Sequence, residues 1–167
     1  FRSIKILYAQ GNKEKALELL LKGLDNNKRD PFSPINIEYA NLLARIFADS
    51  QNFDKAIYYN KKALNKARLI KDTVEIIKSY IRLGSFFYAK NEEDSAKIYF
   101  RKATYFPVNE KTETRISNAY NNLGVIAQNN DNFDLAKGYA KKSLEIKLKQ
   151  NNPIGIAYSN VNLGNLY

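Results

Sequence analysis

Few residue types in this chain could do chemistry, and their spacing accounts for most of them. Two acidic runs, Glu92-Glu93-Asp94 and Asp131-Asn132-Phe133-Asp134, could supply oxygen ligands. Both fall in turns that open a predicted helix, where carboxylates complement the positive end of the helix dipole, so neither needs a metal to explain it. Cations recur in pairs as Lys61/Lys62, Arg101/Lys102 and Lys141/Lys142, with Lys66, Arg68, Lys147 and Lys149 further along the same helices. Their constant phase reads as a solvated outward face. Used on phosphates instead, they would give an affinity that falls steeply with salt.

The 167 residues contain no Cys and no His. That removes disulfides, thiolate metal sites, thiol nucleophiles and the commonest general base. The seven glycines are scattered and form no phosphate-cradling loop. With no nucleophile and base, carboxylate pair or metal cluster in evidence, the chain is expected not to be an enzyme and to need no cofactor. A formal charge of +10 bears on solubility and nonspecific attraction before it bears on function.

The elements that position these residues follow from an internal period. Gly84, Gly124 and Gly164 stand 40 apart, Ala44 stands 40 before Gly84, and the preceding leucine recurs as Leu43, Leu83, Leu123 and Leu163. Twelve residues on, a small residue recurs as Ala16, Ala56, Ala96 and Ala136, and seven further on as Gly23, Ala63, Ala103 and Ser143. Small positions at fixed intervals predict close helix contact. Each unit reads as two helices joined by a tight turn, with Gly11, Gln51, Asn91 and Asp131 at the turn position where a left-handed residue is expected. Ser33 before Pro34, Asp72 with Glu75 three residues on, and Asn152 before Pro153 read as helix starts. Phe47, Phe87, Phe53, Phe133, Tyr59, Tyr99 and Tyr139 share repeat phases and are expected to fill the core.

This pattern resembles the tetratricopeptide repeat, here in units of 40 residues instead of 34, most clearly at Tyr80, Leu83, Gly84, Phe87, Ala96, Phe100 and Ala103. Asn60 and Ala140 depart from it, standing where a large apolar residue is usual. The resemblance implies an all-α, right-handed α-solenoid of antiparallel helix pairs, a single domain over 1–167 of about four units. The "NNPIGIAYSNVNLGNLY" segment is similar to the repeat joints of bacterial sensor kinases and transcription regulators. Phe1 and Tyr167 both fall inside first helices, so both ends are expected to be cuts through a longer array. Their apolar faces, around Ile4/Leu7 and Leu163/Tyr167, would then self-associate. The window holds no apolar run of membrane-spanning length and no secretory signal, so no membrane contact is expected within it. The compartment stays open: cytoplasmic, or periplasmic in a membrane-anchored sensor.

The resemblance also implies a binding surface, because in such arrays the first helices line the concave face. Carried over by phase, the groove residues are Asn41 and Arg45, then Lys78, Arg82 and Tyr88, then Asn118, Asn121, Asn122 and Gln128, then Tyr158, Asn162 and Asn165. A primary amide offers both donor and acceptor, so a row of them can hold the backbone of an extended peptide. Lys78 and Arg82 match two positions of the family's carboxylate clamp, but Leu42 stands where that clamp has Asn, so a complete clamp is not expected. The function implied is peptide or protein binding in a bacterial signalling or transcription regulator. The alternative is a scaffold for self-assembly, and nucleic-acid association through a basic convex face is the least supported reading.

Overall fold

The computed structural model describes residues 1–26, 34–149 and 153–157. Eight helices follow one another: α1 (Arg2–Ala9), α2 (Lys13–Asn26), α3 (Pro34–Asp49), α4 (Phe53–Leu69), α5 (Thr73–Ala89), α6 (Glu93–Thr104), α7 (Glu113–Asn129) and α8 (Phe133–Lys149). Residues 153–157 are again helical, and no strand occurs among the described residues. The even-numbered helices begin at positions 13, 53, 93 and 133, forty apart. None of these helices is long and apolar enough to cross a membrane.

The turns show why the pairs form. Gln51 (φ 57°), Asn91 (φ 61°) and Asp131 (φ 56°) adopt the left-handed conformation, as does Gly11 (φ 84°). The amide that follows each of them closes back on the preceding helix, as in Asn52 N to Phe47 O at 2.8 Å and Glu92 N to Phe87 O at 2.9 Å. This double closure satisfies carbonyls that the helix end would otherwise leave open. Gln51 takes the conformation although its side chain gives it no help there. Lys71 (φ 56°) does the same between α4 and α5, a turn that sequence reasoning had not singled out.

Helix starts are capped mainly by asparagine. Asn12, Asn52 and Asn132 accept through Oδ1 from the backbone amides of Lys15, Lys55 and Leu135, respectively, at 3.2–3.3 Å. Glu92 holds the same phase without a side-chain cap. Asp72 caps α5 by accepting from Glu75 N at 3.0 Å. The Glu75 carboxylate turns to other partners, as described below. The expected starts at Ser33 and Asn152 lie outside the described residues.

The chain divides into two compact units, 1–79 and 80–167, with the division inside α5. In the first, α2 packs on α1 and α3, and α3 packs on α4. Its core gathers Ile4, Leu20, Leu43 and Ile46, with a second cluster of Ile37, Ala40, Ala63 and Ala67. In the second, α7 packs on α6 and α8. Ala96, Phe100, Leu123 and Ile126 form its centre. The seam positions Ala16, Ala56, Ala96 and Ala136 are all at most 1% exposed. Each fully buried leucine of the Leu43, Leu83 and Leu123 series contributes about 1.5–3 kcal/mol.

The aromatic phases recur as contacts. Phe47 stacks on Tyr59 with centroids 5.4 Å apart, and Phe87 stacks on Tyr99 at 5.3 Å, both within 5° of parallel. In the next unit residue 127 is Ala, and Tyr139 packs against it. Phe133 departs from the expected core set: it begins α8 and is 46% exposed. α6 stops after 12 residues because Pro107 follows closely, and a proline disfavours helix in the residue before it. The longer connection is held by Thr112, whose hydroxyl donates to Pro107 O at 2.6 Å and accepts from Asn109 N at 3.0 Å.

Candidate functional site

The first helices carry the predicted binding residues, and each unit presents its own set. In unit 1, Asn41 of α3 is half-buried and donates through Nδ2 to Glu75 Oε1 at 2.5 Å. Glu75 is 9% exposed and also receives Lys78 Nζ at 3.0 Å. Asn41 and Lys78 therefore meet on one carboxylate, which ties α3 to the first turn of α5. Arg45 is exposed, with its guanidinium carbon 5.1 Å from the centroid of the Tyr8 ring. The Tyr8 hydroxyl donates to the Asp49 carboxylate, which Lys13 Nζ approaches at 3.7 Å. Burial, then the Asp49 hydrogen bond, hold the Tyr8 phenol above its ordinary pKa, with Arg45 acting in the opposite sense.

In unit 2, Arg82 is half-buried and Tyr88 is exposed on α5. The Tyr88 hydroxyl accepts from Asn129 Nδ2 at 2.6 Å. On α7, Asn118 is exposed while Asn121, Asn122 and Gln128 are half-buried. The Oδ1 atom of Asn121 is out of contact with solvent and has no hydrogen-bond partner. Such an acceptor costs about 1–3 kcal/mol until a donor reaches it. Tyr158, Asn162 and Asn165 lie outside the described residues.

Several polar contacts were missed by phase alone. Tyr8 with Asp49 and Tyr88 with Asn129 pair the same two repeat positions, 41 apart on successive first helices, with the tyrosine hydroxyl donating in the first and accepting in the second. Asn130 Nδ2 likewise reaches Glu93 Oε1 at 2.7 Å. Asp49 and Asn129 sit one residue beyond the phases taken for the groove. The available signal was the recurrence of a short polar residue there opposite a tyrosine.

The charged runs are used locally. Lys97 pairs with Glu93 at 3.1 Å and with Asp94 at 2.8 Å, and Lys90 pairs with Glu92 at 2.8 Å. Asp94 is held below, and Lys97 above, its usual pKa, chiefly by their mutual hydrogen bond. No group of three or more potential metal ligands gathers among the described residues. The second cation of each basic pair lies over an aromatic ring: Lys62 over Tyr58 at 4.5 Å, Lys102 over Tyr99 at 5.2 Å and Lys142 over Tyr120 at 5.5 Å. That placement gives the lysines a packing role of about 0.5–1 kcal/mol each at exposed sites.

Helix pairs with alanine seams and left-handed turns give an all-α fold like that of tetratricopeptide solenoids. Residues 77–106 and 117–150 match the family described as the tetratricopeptide repeat. Among solved structures, BtubC from P. vanneervenii is similar with a TM-score of 0.78 at 20% identity, over 89% of this chain and 61% of that one. The chain thus spans 61% of the length of BtubC. A Podosopora anserina protein with nearly identical TPR-like repeats is similar with a TM-score of 0.76 at 14% identity, over 99% and 82% of the two chains. Pseudomonas aeruginosa pilF gives 0.65 at 18% identity, over 99% and 74%. A comparison with curated protein sequences finds no match. At these identities the structural likenesses establish the fold.

Proposed function

We propose that the chain is a protein- or peptide-binding module without catalytic chemistry of its own, serving as the sensory or docking region of a bacterial signalling or transcription regulator. Proteins built on this repeat are generally non-enzymatic binding modules. The observation that carries the reading here is the amide face of α7. Asn118 is open to solvent, Asn122 is partly so, and the Asn121 Oδ1 beside them lacks a donor. An extended segment laid along this face brings backbone N–H and C=O groups that such amides can pair in either sense. The regulatory part of the proposal rests on the similarity of residues 151–167 to the repeat joints of bacterial regulators.

The test is affinity capture from a bacterial extract, then calorimetry with the captured segment against the parent and the Asn118→Ala/Asn122→Ala variant. Weaker binding by the variant, with an unchanged melting temperature, supports the proposal. Unchanged affinity, with a loss on replacing Lys61 and Lys62 instead, places the site on the second helices and overturns it. A scaffold role is the second reading. It is favoured by Tyr105 and Val108, 79% and 50% exposed in the connection between α6 and α7. Concentration-dependent sedimentation that disappears in Tyr105→Ser/Val108→Ser would support it.

A further inference from the structure

We propose that unit 1 carries a second site, distinct from the first-helix surface: a cleft between α2 and α4, floored by α3, that takes a small amphiphilic carboxylate. The cleft encloses about 600 Å³, within the range of small-molecule pockets. Leu21 and Leu24 of α2 and Tyr59 and Leu69 of α4 form its apolar walls, and Asn36 of α3 lies at its floor.

Two of these residues reverse the polarity that their phase carries elsewhere. Leu21 occupies the position of Lys61, Arg101 and Lys141, yet it is 42% exposed. Asn36 occupies the position of Ile76, Ile116 and Ile156, yet it is 1% exposed. An exposed leucine and a buried amide each run against the usual partition of side chains. Both line one cleft, which sets it apart from the corresponding place in the other repeats, and the exposure of Leu21 is explained if something other than this chain covers it.

The charge on the walls selects the kind of ligand. Lys62 and Lys66 line the cleft together with Asp25, so two ammonium groups stand against one carboxylate. Lys62 Nζ is held 4.5 Å from the Tyr58 centroid and 5.9 Å from that of Tyr59, and it makes no ion pair among the described residues. A ring face attracts the cation without consuming its N–H donors, so the ammonium is oriented and still able to donate to an anion. An acyl chain would cover Leu21, Leu24 and Leu69 while its carboxylate meets Lys62.

Laurate is the probe, with dodecanol as its uncharged counterpart, titrated calorimetrically into the full chain below the aggregation concentration of either. Saturable binding of one laurate is expected, about tenfold tighter than dodecanol, since a charge-assisted hydrogen bond is at stake. Lys62→Gln should remove that preference while leaving dodecanol unchanged. Leu21→Gln, also at an exposed position, should weaken both ligands. Circular dichroism and melting of both variants should match the parent. The proposal is overturned if laurate shows no saturable binding, if laurate and dodecanol bind equally, or if neither variant changes the laurate affinity.

Discussion

A methyl group added to Gly84 in α5 would lie 2.6 Å from a ring carbon of Phe100 in α6. The glycine is there because the phenyl ring is. Residue 44 holds the same phase and is Ala, with Asn60 standing where Phe100 does; residue 124 is Gly, with Ala140 in that place. At Gly124 an added methyl would meet only ordinary contacts, 3.6 Å from Tyr139 Cβ and 3.7 Å from Ala136 O.

Gly84→Ala should therefore destabilise, since overpacking against a buried ring costs about 1–3 kcal/mol and outweighs a helix-propensity gain of at most about 1 kcal/mol. Gly124→Ala should stabilise by about 0.5–1 kcal/mol, and Gly138→Ala, with open space around it, by a similar amount. Urea unfolding of the three variants decides the matter. Equal effects at 84 and 124 would refute the assigned contact, and the cost at 84 should shrink in a Phe100→Leu background.

Ala136 is 1% exposed in the α7–α8 seam. Ala136→Leu should cost about 1–3 kcal/mol or more and lower the melting temperature clearly. Lys142→Leu, at an exposed position over Tyr120, should cost about 1 kcal/mol or less. Thermal melts that show the two changes to be equally harmless would mean that the register is wrong.

Lys147 is 5% exposed, and burial holds its pKa below the ordinary lysine value. Between the folded and unfolded pKa values the unfolded chain binds more protons, so stability rises with pH through that window, up to about pH 10. Lys147→Met should raise stability at neutral pH by on the order of 1 kcal/mol and flatten that rise. Denaturation curves at several pH values that stay parallel for parent and variant would contradict it.

Tyr8 behaves in the opposite sense. Its raised pKa means that the folded protein keeps the phenolic proton after the unfolded chain has lost it. The stability this adds is complete below the unfolded pKa, about 10, and is lost as pH rises through the folded value. Tyr8→Phe should remove this alkaline component, leaving a shallower loss of stability above pH 10.

For the first-helix surface, Asn118→Ala/Asn122→Ala should reduce affinity for a bound segment by about 1–3 kcal/mol, taking each neutral hydrogen bond at about 0.5–1.5 kcal/mol. Melting temperature should hold, because neither side chain is fully buried. Equal losses of affinity and stability would identify these residues as structural.

Positions governed by packing were legible in the sequence. A residue whose Cβ must fit between two helices has few alternatives, so Ala16, Ala56, Ala96 and Ala136 announced the seams, and the left-handed turn survived even with Gln51 in place. Phase was less informative wherever reach decides the outcome. Glu75 read as half of a capping box, but its carboxylate extends to Asn41 and Lys78. Phe133 shares a phase with Phe53 but lies open to solvent. The candidate surface was legible as a set of residues on α5 and α7, not as a set of free groups, because side chains such as Asn129 engage it from one position away.

The match between Gly84 and Phe100, like that between Gly23 and Tyr39, where an added methyl would fall 2.8 Å from the ring, also bears on how such an array can be inherited. Units of constant length invite unequal recombination, and loss of residues 45–84 would leave every phase intact. It would also set Ala44 at the place of Gly84, against the ring of Phe100. A chain shortened this way keeps its reading frame and its hydrophobic pattern but carries a methyl group where a ring already sits. Expansion or contraction of this protein is therefore constrained by which neighbour each unit was fitted to, and its repeats form an ordered series instead of interchangeable copies.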